Sequence, residues 1–156
     1  MSEISVGQNA PDFELATDGG GRFRLSEETG KAVVLYFYPK DDTPGCTAEA
    51  IAFTGLNDQF AAANALVVGI SPDSPQAHDK FKAKHELGVM LAADTEKEVA
   101  QLYGVWVKKS RYGREYMGVE RTTFLVGPDG RIAEIWPKVK VDGHAAEVLD
   151  AVKALG

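Results

Sequence analysis

The chain has 156 residues, 44% hydrophobic and 26% charged, the make-up of an ordinary globular protein, and it fits one domain over residues 1–156. Its net charge of −6 argues against a nucleic-acid partner, because proteins that bind the phosphate backbone concentrate positive charge. No apolar run reaches transmembrane length, and the opening stretch MSEISVGQNAPDFEL lacks the basic start and apolar core of a signal peptide, so no membrane partner and a cytoplasmic location are expected.

In DFELATDGGGRFRLSE apolar and polar residues alternate on both sides of a glycine cluster, which matches Phe13 and Leu15 with Phe23 and Leu25 and predicts an N-terminal β-hairpin. AVVLYFY, residues 32–38, is a continuous apolar run rich in β-branched and aromatic residues, the pattern of a strand buried on both faces, and it ends at Pro39. Thr43 and Pro44 suit the cap and first position of a helix whose apolar face is Phe53, Leu56 and Phe60. ALVVGIS, residues 65–71, reads as a second buried strand. The next helix has Ser74 as its cap, Pro75 at its first position and Gly88 after its end. VMLAAD, residues 89–94, is a short strand, followed by a capping box of Thr95 and Glu98 for a helix through Tyr103, stopped by Gly104.

Residues 104–121 read as a long loop. Within it, Lys108, Lys109, Arg111 and Arg114 form a solvated basic cluster, and Trp106, Tyr112 and Tyr116 either line the mouth of a site or cover the sheet. TTFLVGPDGRIAEIWP holds two strands around a Gly-Pro-Asp-Gly turn, and Val148, Leu149, Val152 and Leu155 mark one face of a closing helix. Strands alternating with helices, closed by an antiparallel pair, predict an α/β fold with a mixed central sheet flanked by helices. The 39–45 loop leaves the carboxyl end of a strand, where α/β sheets gather reactive groups.

Cys46 is the sole cysteine, so no intrachain disulfide can form and a reducing compartment fits. It falls in the first turn of the helix that begins at Pro44. There unpaired backbone N–H groups and the helix dipole favour a thiolate, the nucleophilic form of the side chain. Gly45 removes a side chain beside the sulfur, so a small substrate could approach. The alternative is that Thr-Pro-Gly simply starts a helix and Cys46 is a small buried hydrophobe. Position 49 is Glu, which rules out a Cys-x-x-Cys dithiol. His78, His85 and His144 are scattered and read as solvated, so no metal site is expected. DGGG lacks the Lys-Ser/Thr ending of a phosphate loop.

Residues 39–46, Pro-Lys-Asp-Asp-Thr-Pro-Gly-Cys, contain Pro-x-x-x-Thr-x-x-Cys, which resembles the active-site signature of peroxiredoxins. YPKDDTPGCTAE, together with APDFEL, GISPDSP, YGVW, YMG and ERTTFLVGPDG in that order, resembles the bacterioferritin-comigratory or Q-type subfamily over nearly the whole chain. The resemblance implies a thioredoxin-like fold and a thiol-dependent peroxidase that reduces hydrogen peroxide and organic hydroperoxides through a cysteine sulfenic acid. It makes Cys46 the nucleophile, and Thr43 a hydroxyl offered to sulfur and peroxide, a role one helix-capping hydroxyl could share. Pro39 becomes the shield against water and Arg121 the cation beside the sulfur. Glu49 either helps hold that arginine or offsets the helix dipole. No metal or organic cofactor is required. Many relatives of this type carry a resolving cysteine five residues after the first or on the helix matching residues 74–87. Here the first position is Ile51 and the helix has none. A one-cysteine mechanism is therefore expected, with thioredoxin, glutathione with glutaredoxin, or another external thiol as reductant, in a monomer or weak homodimer. A peroxide sensor that passes oxidation from Cys46 to a partner protein is the alternative, and a third reading is a binding protein or chaperone with an inert cysteine.

Overall fold

The computed structural model describes residues 4–155. Strands β1 (Glu14–Ala16) and β2 (Arg22–Arg24) pair antiparallel with Leu15 opposite Phe23, the hairpin expected from the alternation. Strand β3 (Ala32–Phe37) is buried at every position. It is followed by α1 (Pro44–Gly55), α2 (Asn57–Ala62) and β4 (Ala65–Ser71). Then come α3 (Pro75–His85), β5 (Met90–Ala93) and α4 (Glu98–Leu102). The chain closes with β6 (Trp106–Arg111), β7 (Arg114–Val119), β8 (Thr122–Val126), β9 (Ile132–Trp136) and α5 (His144–Leu155).

Five strands form the central sheet in the order β5-β4-β3-β8-β9. β3 and β4 run parallel, as do β4 and β5, whereas β8 lies antiparallel to both β3 and β9. The sheet is mixed, as expected. Because side chains on a strand alternate between faces, β3 feeds two cores at once. Val34, Tyr36 and Tyr38 pack with residues of α1, α2, α3 and α5, including Phe53, Phe60, Phe81 and Val148. Val33, Leu35 and Phe37 pack on the other face with Phe13, Phe23, Val99 and Tyr103. The N-terminal segment crosses that second face and borders the sheet at both ends. Gly7 donates to Ile132 O and Ala10 to Gly130 O at the start of β9, while Thr17 bridges Ala92 on β5.

Tyr36 lies opposite Gly69 in the β3–β4 register, and a Cβ at position 69 would come within 2.6 Å of the Tyr36 ring and 3.1 Å of Leu91. Gly69→Ala is expected to destabilise the fold by about 1–3 kcal/mol through overpacking, read as a lower denaturant midpoint at unchanged slope.

Several expectations fail for identifiable reasons. Residues 104–121 are not a loop, since β6 and β7 pair through them as a hairpin with Arg111 opposite Arg114. Its turn, Tyr112-Gly113, has positive φ at both residues (53° and 76°), the geometry that suits a two-residue hairpin. The hairpin is mostly exposed on both faces, so it carries no apolar alternation to signal a strand. Helix α4 is capped by Asp94, whose carboxylate accepts from the Val99 and Ala100 amides at 3.1 and 2.8 Å, and not by a Thr95–Glu98 box. Helix α3 starts as expected, with Ser74 accepting from the Ala77 amide, but ends at a left-handed Glu86 and not at Gly88. The run through Phe53, Leu56 and Phe60 is two helices interrupted at Leu56. His78 and His144 are buried, where solvated histidines were expected.

Candidate active site

The carboxyl end of β3 releases the chain into the 39–45 turn, and α1 starts where Pro44 supplies a fixed φ and an amide that needs no partner. Cys46 therefore sits in the first turn of α1 and is 1% exposed. Beneath it the sheet presents Tyr36, stacked on Phe53 at 4.6 Å and on Tyr38 at 5.5 Å. The sulfur thus rests against apolar packing, as the hydrophobe alternative required, but one charged group reaches it. Arg121, in the short link between β7 and β8, donates from Nη2 to Cys46 Sγ at 3.3 Å.

The same guanidinium donates from Nη1 to Glu49 Oε1 at 2.6 Å. Glu49 lies one turn after Cys46 on α1 and is 1% exposed, which accounts for a carboxylate in a core: it anchors the cation. Its second oxygen, Oε2, and the Tyr36 hydroxyl are buried with no protein partner. Burial pushes the Glu49 carboxyl up to about 7, against the opposing charge and hydrogen bond of Arg121. Burial also works against the charge on Arg121, but Glu49 and Cys46 outweigh it and hold the guanidinium above its ordinary value. A carboxyl whose folded pKa is raised contributes stability that is complete below its ordinary value of 4.5 and lost as pH rises through about 7. Glu49→Gln is therefore expected to remove a decline on the order of 3 kcal/mol in unfolding free energy between pH 4.5 and 7, measured by denaturation at each pH.

Gly45 is exposed, and a Cβ there would meet Arg121 Nη2 at 3.2 Å. The missing side chain makes room for the guanidinium over the first turn. Thr43 is the residue before the helix, with extended backbone, and its carbonyl accepts from Thr47 N–H. Its hydroxyl does not cap the helix as expected; it donates to Lys40 O at 2.9 Å. Pro39 is half-buried at the mouth of the turn. The aromatics of the 104–121 stretch divide: Trp106 packs against the sheet core, Tyr116 is half-exposed, and Tyr112 stands 93% exposed at the hairpin tip.

Sequence reasoning missed Lys109, which it placed with the solvated cations. Its ammonium donates to Val119 O, two residues before Arg121, and its stem lies over Gly118. Burial and the Arg121 charge lower its pKa, opposed by Glu120 and Cys46. Nothing in a run of basic residues distinguishes the one turned toward the site. The structure brings Cys46, Gly45, Glu49 and Arg121 together although Arg121 is remote in sequence, because β8 lies directly beside β3.

Residues 6–135 match the AhpC/TSA family. The chain is 49% identical over 150 residues to peroxiredoxin Bcp of Bacillus subtilis, covering 96% of each, and 53% identical over 146 residues to a putative peroxiredoxin bcp of Coxiella burnetii, covering 94% of this chain and 97% of that one. Among solved structures, a mutant of Xylella fastidiosa PrxQ superposes with a TM-score of 0.93 at 40% identity, covering 99% and 98% of the two chains. Xanthomonas campestris bacterioferritin comigratory protein, studied for its alkyl peroxide reduction activity, superposes with a TM-score of 0.87 at 41% identity, over 91% and 90%.

Proposed function

Because the chain belongs to the AhpC/TSA family and is 49% and 53% identical to relatives named as peroxiredoxins of the Bcp type, we propose that it is a thiol-dependent peroxidase with Cys46 as nucleophile. The observation that carries this reading is the Arg121 guanidinium 3.3 Å from the lone cysteine sulfur at the start of α1. The Cys46 thiolate attacks one oxygen of a hydroperoxide, and the O–O bond breaks. The leaving oxygen takes a proton and departs as water or an alcohol, and Cys46 becomes a sulfenic acid. Charge moves from sulfur to the departing oxygen during this step. Arg121 and the first amides of α1 are fixed donors around that path, so they need not reorganise as the charge moves.

Glu49 holds Arg121 in place, Pro39 excludes water from the mouth, Gly45 leaves the approach open, and Thr43 offers its hydroxyl oxygen to the peroxide. The chain holds no second cysteine, so the return step uses an external thiol. One thiol condenses with the sulfenic acid to give a mixed disulfide and water. A second thiol displaces Cys46 and leaves as the oxidised disulfide. Thioredoxin or glutathione with glutaredoxin supplies such thiols in a reducing compartment such as the cytosol. No helix among the described residues is long and apolar enough to cross a membrane.

The test is steady-state consumption of hydrogen peroxide and of an organic hydroperoxide with each reductant system side by side, with dimedone labelling of Cys46 after peroxide alone. Sustained turnover with one system and a labelled Cys46 are expected. A single stoichiometric oxidation, with no turnover at generous thiol, would replace the enzyme with a sensor.

A further inference from the structure

A second group of polar side chains is buried beneath the 39–45 turn, where four elements converge. His78 on α3 has no exposed surface. Its Nε2 lies 2.9 Å from the Ala92 carbonyl on β5, and its Nδ1 lies 2.7 Å from Asp41 Oδ2 in the turn. A carbonyl only accepts, so Nε2 carries a proton. Asp41 Oδ1 accepts from the Tyr38 hydroxyl at 2.6 Å, which leaves Oδ2 to bond Nδ1; with Asp41 ionised, Nδ1 donates too and the ring is an imidazolium. Asp73, after β4, completes the set: its Oδ2 accepts from the Asp41 amide at 2.8 Å and from the Ser71 hydroxyl at 2.6 Å. Asp41, Asp73 and His78 lie at a mutual spacing a cation would use, within 4.8 Å, but the hydrogen bonds among these residues account for that spacing without one.

The turn needs such fastening. Asp42 has φ of 61°, a left-handed backbone uncommon outside glycine, although aspartate tolerates it better than most. The Asp42 side chain is also tied to α3, through Lys84 at 2.7 Å and His85 at 2.9 Å. These last two contacts are at the surface and are worth little, whereas the His78–Asp41 pair is buried and directional. We infer that His78 is a positioning residue for the peroxide reaction: fixed as an imidazolium to the Ala92 carbonyl, it pins Asp41 and so sets the turn that presents Cys46 to Arg121. This rests on the peroxidase reading for its functional part and on geometry alone for the pinning.

Burial opposes the charge on His78, but the hydrogen bond and charge of Asp41, the Ala92 carbonyl and the Asp73 charge outweigh it and hold the ring above its ordinary value of 6.5. The titratable groups facing it are Asp41 in the turn, Asp73 after β4, and Tyr38 at the end of β3, whose hydroxyl is pushed well up by burial and stays a neutral donor. A group raised in this way contributes fully below its ordinary value and loses its contribution as pH rises through the folded value, so the pinning fails on the alkaline side.

Nitrogen-15 NMR of the wild-type ring at pH 7 is expected to show both nitrogens protonated, and a neutral tautomer would overturn the inference. In stopped-flow oxidation of Cys46 by hydrogen peroxide, His78→Gln is expected to be slower by about tenfold, the worth of one hydrogen bond to a charged group. The wild-type rate should fall at alkaline pH in step with the His78 titration, a limb absent from His78→Gln. The double variant Asp41→Asn with His78→Gln should recover part of the loss, because neither buried group is then left charged without a partner. Parallel pH profiles in wild type and His78→Gln would assign the histidine to folding alone. Amide exchange across residues 41–47 and alkylation of Cys46 need no peroxide. Faster exchange in His78→Gln with wild-type inertness to peroxide would sink the peroxidase reading and keep the pinning, and unchanged exchange would sink the pinning itself.

Discussion

Cys46→Ser is expected to reduce thiol-dependent peroxide consumption to the buffer background, a loss on the order of 10³-fold or more, because a hydroxyl is a far weaker nucleophile toward peroxide than a thiolate. The protein should still fold. The buried hydroxyl would inherit the Arg121 Nη2 donor that the sulfur uses at 3.3 Å, so it need not remain unpaired. A coupled assay of peroxide loss, run beside a thermal melt, separates the two effects. Equal consumption by wild type and a well-folded Cys46→Ser would end the case for sulfur chemistry at this position.

Arg121→Leu should act on two quantities at once. Removing a preorganised donor from a developing charge lowers the rate of the step by about 10²–10³-fold, read as the second-order rate constant for Cys46 oxidation. It also leaves Glu49, 1% exposed, without its cation, and breaking a buried pair from one side costs about 3–5 kcal/mol. The double variant Arg121→Leu with Glu49→Gln should recover most of the stability and none of the rate. Arg121→Lys should fall between, since an ammonium cannot reach the sulfur and Glu49 as two parallel arms do. If Arg121→Leu oxidised at the wild-type rate, the guanidinium would be a structural tie and nothing more.

The central strands were legible because their signal is strong and local. Ala32–Phe37 and Ala65–Ser71 are unbroken apolar runs, and both proved buried strands. The β6–β7 hairpin was not legible, because no buried face imposes alternation on its sequence. Pairing with each other alone, these strands are held by the ladder and by the Tyr112-Gly113 turn. The site was legible as a resemblance: the residues around Cys46 form one short string, and Arg121 stood out only through the family pattern. Geometry then supplied what the string could not. Thr43 sends its hydroxyl back to Lys40, and Gly45 clears space for the guanidinium. Asp41 and His78, 37 positions apart in sequence, meet only because the turn that follows β3 lies against the first turn of α3.

The N-terminal segment has a consequence for solubility. A sheet that is not closed into a barrel carries an unsatisfied row of amides and carbonyls along each outer strand, a template for recruiting another copy. Here one stretch of chain occupies both templates, at Ile132 on one margin and at Ala92 on the other. Loosening residues 7–17 would unmask the two margins together, and the damage would surface as chains stitching to one another as well as a weaker fold.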